Sequence, residues 1–262
     1  MFLEKFNNMD EKKYNIDIHV LCWNEMQLAP FMVDYWKRIA RHVYVYDNYS
    51  DDGVDEYLGK YEWITVKKYE SGNELNDKIY LKIKDNCWKG SDADWVWVSD
   101  FDEAPYSNNF FEEVEILENN GITAVEPNWI ETLSYTNIPE YQEGKLLHEL
   151  IDGGIGNSPY SITESKTLFF KPGKINNTNY DPGCHKCRLE GQVKKDRKLN
   201  CIHFKNLGLE YVIERYKKYS MRMSAINKKF RWGYQYCEPE NIHKEWFEKN
   251  YETIKPVKDL LL

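Results

Sequence analysis

The chain has 262 residues, a formal net charge of −8, and 42% hydrophobic and 30% charged residues. That is enough apolar material to bury one large α/β domain, alone or with an appendage, and it excludes global disorder. The acidic balance excludes a general nucleic-acid binder, because phosphates demand a cationic surface; Lys194-Lys195-Asp196-Arg197-Lys198 reads as a solvated loop. Aromatics make up 15%, with 20 Tyr and 9 Trp, which serve cores first and stacking surfaces second. No apolar run reaches the roughly 18 residues of a membrane span, and MFLEKFNNMDEKK lacks the apolar stretch of a secretory signal. The expected location is therefore cytoplasmic, with at most peripheral association at the inner face of a membrane. The six cysteines, Cys22, Cys87, Cys184, Cys187, Cys201 and Cys237, are expected to be thiols in a reducing compartment.

Residues 1–15 read as a leader. Ile16 to Leu21 alternates apolar and polar and predicts a first strand, stopping at Cys22-Trp23-Asn24-Glu25. Asn24 suits the N-cap of a helix carrying Leu28, Phe31, Met32, Tyr35, Trp36 and Ile39 at helical spacing. Val43 to Tyr46 predicts a second strand, ending in the polar turn Asp47-Asn48-Tyr49-Ser50-Asp51-Asp52-Gly53 and a short helix to Leu58. Trp63 to Val66 predicts a third strand and Asn73 to Trp88 a helix. Trp95 to Glu103, reading WVWVSDFDE, is a fourth strand running out into carboxylates. This alternation calls for a mostly parallel sheet flanked by helices, with right-handed crossovers. A helix from Ser107 to Glu118 and a strand from Ile122 to Val125 follow. Beyond them the alternation weakens, with one or two helical turns at Lys145 to Ile151, strands at Thr167–Phe170 and Leu199–Phe204, and a long helix from Leu207 to about Lys229. The aromatic tail from Trp232 either packs back on the domain or serves an oligomer contact.

In such sheets ligands bind beyond the carboxyl ends of the strands. Three strand ends there carry acid or amide groups: Asn24-Glu25, Asp47-Asn48 and Asp100/Asp102. On extended backbone Asp100 and Asp102 share a face, and two hard oxygen ligands at that edge suit Mg²⁺ or Mn²⁺ against a phosphate. The plain alternative is a polar turn capping the helix near Ser107. Neither G-x-G-x-x-G nor G-x-x-x-x-G-K-[ST] follows the first strand, so a diphosphate would need a bound cation in place of a nest of backbone N–H groups.

Together Leu21-Cys22-Trp23-Asn24-Glu25, Val45 to Gly53, Asp100-Phe101-Asp102-Glu103, Gly183-Cys184-His185 and Ile202 to Gly208 resemble bacterial family-2-like glycosyltransferases of the GT-A fold. The resemblance covers roughly residues 16 to 230. It implies a GT-A domain over 16–230 (a nucleotide-sugar half, 16–128, and an acceptor and metal-completing half, 129–230), with 231–262 as a C-terminal tail. It implies a UDP- or GDP-linked sugar donor, Mn²⁺ or Mg²⁺, a glycan or lipid-linked acceptor, and a role in surface polysaccharide synthesis. Asn24, Glu25, Asp47, Asp100 and His185 would lie on the donor, and Asp100, Asp102 and His203 would hold the metal. An inverting transfer needs a carboxylate to take the acceptor proton; Glu149 and then Asp152 are the candidates, though surface acids have the same appearance. Other readings are a non-catalytic nucleotide- or glycan-binding domain and a sugar nucleotidyltransferase.

One pattern competes for His203. Cys184, Cys187, Cys201 and His203 have the number and type of ligands for a structural zinc site, but the last spacing is short; buried thiols are the plain reading.

Overall fold

A computed structural model describes residues 13–156, 166–184 and 186–262. The first half of the chain builds the expected sheet. Strands β1 (Ile16–Cys22), β2 (His42–Asp47), β3 (Ile64–Lys68) and β4 (Trp95–Asp100) lie in the order β4-β1-β2-β3, all parallel. Helices α1 (Ala29–Ile39), α2 (Val54–Leu58) and α3 (Asp77–Lys84) make the crossovers. All seven residues of β1 are buried, as a strand covered on both faces requires. Along β4 the side chains alternate between two cores: Trp95 and Trp97 pack with Phe169, Val96 and Val98 with Phe170.

After β4 the chain turns at Phe101-Asp102 into β5 (Glu103–Tyr106), then α4 (Phe110–Asn119), β6 (Ala124–Val125) and β7 (Asn128–Ser134). The next strands are β8 (Gly153–Gly156), β9 (Phe169–Phe170), β10 (Ile175–Asn177), β11 (Glu190–Gly191), β12 (Lys195–Asp196) and β13 (Asn200–Leu207). β9, β6 and β12 extend the central sheet to seven strands in the order β12-β6-β9-β4-β1-β2-β3, with β9 antiparallel to both neighbours. A second sheet, β5-β13-β7-β8, stands beyond the end of β4.

Three local expectations shift. The helix expected from Asn73 begins at Asp77, where the Asn76 side chain accepts from the Ile79 N–H. Asn24 does not cap α1: it takes a left-handed φ of 54°, and α1 starts later, with Pro30 in its first turn. The single helix expected over 207–229 is two, α5 (Leu209–Arg222) and α6 (Ala225–Phe230). Leu75 causes the break. Its N–H donates to the Arg222 carbonyl (2.7 Å) and its carbonyl accepts from the Ser224 N–H (3.1 Å), while Ser224 caps α6. The tail packs back through α7 (Glu240–Tyr251): Phe247 is 1% exposed, and Lys255 exchanges backbone hydrogen bonds of 2.9 and 3.0 Å with Gly154. A Cβ on neighbouring Gly153 would lie 2.4 Å from the Lys255 carbonyl oxygen, so glycine is what lets the tail approach. Among the described residues no helix is long and apolar enough to cross a membrane.

Two core histidines give the fold an acid limit. His19 is stacked on Tyr44, and His148 shares a 2.6 Å hydrogen bond with the Tyr35 hydroxyl; burial lowers both to about 4. Between pH 6.5 and 4 each takes up its proton only on unfolding, so stability is full above 6.5 and falls as the pH drops. At most about 3 kcal/mol is lost per histidine. We expect the urea midpoint to fall over that interval, and His19→Gln to flatten the slope.

Candidate active site

The carboxyl ends of β1 and β4, the facing parts of β7 and β13, α3, α5 and the tail enclose a cleft of about 620 Å³. Its centre is the turn after β4. Phe101, 1% exposed, is driven into the core edge-on against Trp36 (5.1 Å), and this fixes the acids on either side of it.

Each acid meets a different cation. Asp100 lies 2.7 Å from Lys84 and 3.7 Å from Lys166; Lys166 also pairs with Glu103. The Glu103 carboxylate in turn accepts from the Asp100 N–H (3.1 Å). Asp102 lies 3.0 Å from Arg215, which bridges to Glu25 at 2.5 Å, and 3.6 Å from Nε2 of His203. His203 Nδ1 lies 3.0 Å from Glu131. That contact follows from register, since His203 and Glu131 are Cα partners in the parallel β13–β7 pair. Glu131 is itself held by Trp129 Nε1 (3.1 Å) and Asn206 Nδ2 (3.0 Å).

These contacts set the protonation states. Burial raises the Asp100 carboxyl, but Lys84 and Lys166 outweigh it and hold it down to about 2. Burial acts likewise on Asp102, and Arg215 and His203 pull it well below the usual carboxylate range. Burial lowers His203, yet Glu131 and Asp102 bring it up to about 10. Its contribution to stability is therefore full below pH 6.5 and lost as the pH rises through 10, the opposite limb to His19 and His148. Burial pushes Glu25 up to about 8 against the pull of Arg215. Glu25 Oε2 and Arg215 Nη1 are buried without hydrogen-bond partners.

Among the described residues, the ligand atoms of Asp102, Glu103 and His203 form a group within 4.8 Å of one another. Sequence reasoning named Asp100, Asp102 and His203. The structure brings Asp102 and His203 together, adds Glu103, and turns Asp100 toward the lysines. A divalent ion fits this corner. Glu131 holds His203 by one ring nitrogen and leaves Nε2 toward Asp102, the carboxylate–histidine arrangement that orients metal ligands.

The other expected residues scatter. Glu25 lines the cleft; Asn24 and Asp47 do not. The Asn24 side chain donates to the Asp51 carboxylate (2.7 Å) and accepts from the Asp51 N–H (2.9 Å), tying the ends of β1 and β2, while buried Asp47 binds Ser50 in its own turn and Lys68 at the end of β3. Asn48 reaches Arg222 (2.6 Å), whose guanidinium lies 3.5 Å over the Trp23 ring at the cleft wall. Glu149 lies off the cleft and accepts from the Leu146 N–H (2.8 Å); Asp152 accepts from the Tyr135 N–H (2.8 Å) and the Tyr251 hydroxyl (3.1 Å). His185 falls outside the described residues. The cysteines do not gather for zinc. Cys201 belongs to one core, and Cys184, with Cys187 beside it, to the other; burial raises the Cys184 thiol to about 11.

Sequence reasoning missed Lys84, Lys166, Arg215, Glu131 and the tail. Each residue left a trace. Lys84 and Arg215 are cations beside the apolar stripes of α3 and α5, Lys166 lies just upstream of the buried strand β9, and Glu131 sits inside an apolar one.

No family model and no curated protein matches this sequence. Among solved structures the chain is similar to S. aureus TarS, with 12% identity and a TM-score of 0.44 over 79% of this chain and 39% of that one. It is similar also to TarS 1-349 in complex with UDP, with 11% identity and a TM-score of 0.44 over 79% of this chain and 65% of that one. The complex with UDP-GlcNAc gives 11% and 0.42 over 79% and 66%. This chain thus spans less than two thirds of the length of each. At such identity the residues of the cleft carry the chemistry, not the neighbours.

Proposed function

We propose that this protein is a metal-dependent glycosyltransferase of the GT-A type, moving a sugar from a nucleotide-diphosphate donor to a glycan or lipid-linked acceptor. The observation that carries the reading is the pairing of Asp102 with His203 Nε2 at 3.6 Å, with Glu131 fixing the other ring nitrogen, in a cleft at the carboxyl ends of parallel strands.

Charge supports it. Seven carboxylates among the described residues lining the cleft face six lysine and arginine side chains and His203. With Glu25 raised to about 8 and so largely protonated at neutral pH, the protein's own charges still nearly cancel, and little is left over for a diphosphate. A divalent ion supplies that counter-charge and, when bound, acts as a Lewis acid on the leaving diphosphate. Asp102 and His203 Nε2 would hold it, with Glu103 adjacent. The mixed carboxylate and imidazole set suits Mn²⁺ better than Mg²⁺, which prefers oxygen throughout. The His203 proton must leave Nε2 as the ion enters, so binding is favoured by rising pH. Trp23 and Arg222 offer the nucleoside a flat, cationic wall. If the transfer inverts, Glu25 suits the base role better than Glu149 or Asp152: it lines the cleft, has an unpartnered oxygen, and is raised to about 8.

The test is a donor screen. Purified protein is incubated with UDP- and GDP-sugars and Mn²⁺, and nucleotide release is followed. Slow hydrolysis of at least one donor is expected, abolished by a chelator. Absence of both turnover and binding for every donor with either ion would sink the reading.

A further inference from the structure

The cleft has a second wall that the metal corner does not use. It is the stretch just after α6, where Trp232, Tyr234 and Trp246 line the opening together with Gln235, Glu238 and His243. Tyr234 is 53% exposed on the lip of the cleft. The wall is rigid from behind. Tyr236 packs edge-on against Tyr216 and Tyr219, both at 5.1 Å, and His243 against Tyr216 at 4.8 Å. Gly233 takes a φ of +69°, and a Cβ there would lie 3.0 Å from the Tyr236 ring, so the loop is seated on a contact that only glycine allows. Phe247, 1% exposed, anchors the far end. His243 Nε2 is buried without a hydrogen-bond partner.

We propose that residues 232–246 form a subsite for a sugar ring of the acceptor. A pyranose has an apolar face of C–H groups and a rim of hydroxyls. The half-buried indoles of Trp232 and Trp246 and the exposed phenol of Tyr234 match the face. Amide, carboxylate and imidazole side chains match the rim, each being able to take or give a hydrogen bond to a hydroxyl. A flat apolar ligand would stack equally well but would leave Gln235, Glu238 and His243 without use, and a base already has the wall of Trp23 and Arg222. A peptide strand would need a free sheet edge, and the wall is helix and loop. The wall opens into the same cleft as Asp102, so a sugar held there faces the ion corner. The inference rests on the glycosyltransferase reading for calling that sugar an acceptor, but not for the sugar binding itself.

The experiment is saturation-transfer NMR on the full chain with methyl glucoside, methyl galactoside, methyl mannoside and N-acetylglucosamine, with UDP and Mg²⁺ followed in parallel samples. At least one sugar should receive saturation. Trp232→Ala and Tyr234→Ala should each weaken its binding about fivefold and leave the UDP signal unchanged. Tyr234→Ala carries the test if Trp232→Ala folds poorly, because its ring is largely in solvent. Saturation of no sugar, or equal saturation in wild type and both variants, would overturn the proposal. Sugar saturation lost in the variants, with no UDP signal in any sample, would keep the subsite and remove the donor reading instead.

Discussion

Asp102→Asn should lower nucleotide-sugar turnover about a thousandfold or more while leaving a folded protein, since it removes the carboxylate that would neutralise and orient the metal. The fold should survive because neither partner is stranded. Arg215 keeps Glu25 at 2.5 Å, and His203 keeps Glu131 at 3.0 Å. The stability cost is expected at about 1–2 kcal/mol, within the range of ordinary substitutions. Asp100→Asn should behave in the reverse sense. Asp100 is 41% exposed, but it is the carboxylate within 2.7 Å of Lys84, a side chain 3% exposed. Its loss should disturb folding more and turnover less. Steady-state kinetics alongside urea denaturation of the two variants separates the roles, and equal turnover losses would contradict the assignment.

Arg215→Met should be the most destabilising substitution in the cleft. Arg215 bridges Glu25 and Asp102, and both carboxylates are nearly inaccessible, at 4% and 5% exposed. Removing the guanidinium leaves two like charges facing each other in low dielectric. Stranding a buried charge costs about 3–5 kcal/mol. Glu25 has an escape, because it already rests at about 8 and can take a proton at neutral pH. The loss should therefore shrink below pH 6 and grow above pH 8, a dependence that calorimetric unfolding across that range would reveal. A metal ion should recover part of the lost stability by replacing the missing positive charge beside Asp102. A variant as stable as wild type at pH 8 would mean that the bridge does little.

The alternation of strands and helices through β4 was legible because the strands leave short alternating or apolar runs and their turns leave polar clusters. The ends of elements were less so. Whether Asn24 caps a helix or grips Asp51 depends on a left-handed backbone that the sequence does not display. The break at Met223 was hidden because its cause, Leu75, lies about 150 residues away, and helical periodicity runs straight across it.

The site divides the same way. Asp102 and His203 could be found because a strand-end acid and a late histidine stand out singly. Glu131 could not, since its meaning comes from the register of β7 against β13, a long-range pairing. Lys84, Lys166 and Arg215 read as ordinary surface cations until the fold buries them. Glu149 and Asp152 had the right position in the chain between the acid pair and His203, but sequence order does not put a side chain in a cleft. The cysteines had ligand-like spacing, yet Cys201 packs in one core and Cys184 in the other.

Asp102 and His203 are proposed to hold a divalent ion for a nucleotide diphosphate. Calorimetric titration of UDP and of GDP into wild type and Asp102→Asn, with and without Mn²⁺, tests it most directly. At least one nucleotide should bind wild type about tenfold or more tightly with the ion, and Asp102→Asn should erase that difference. Nucleotide binding that ignores the ion, or an ion effect that survives Asp102→Asn, would contradict it.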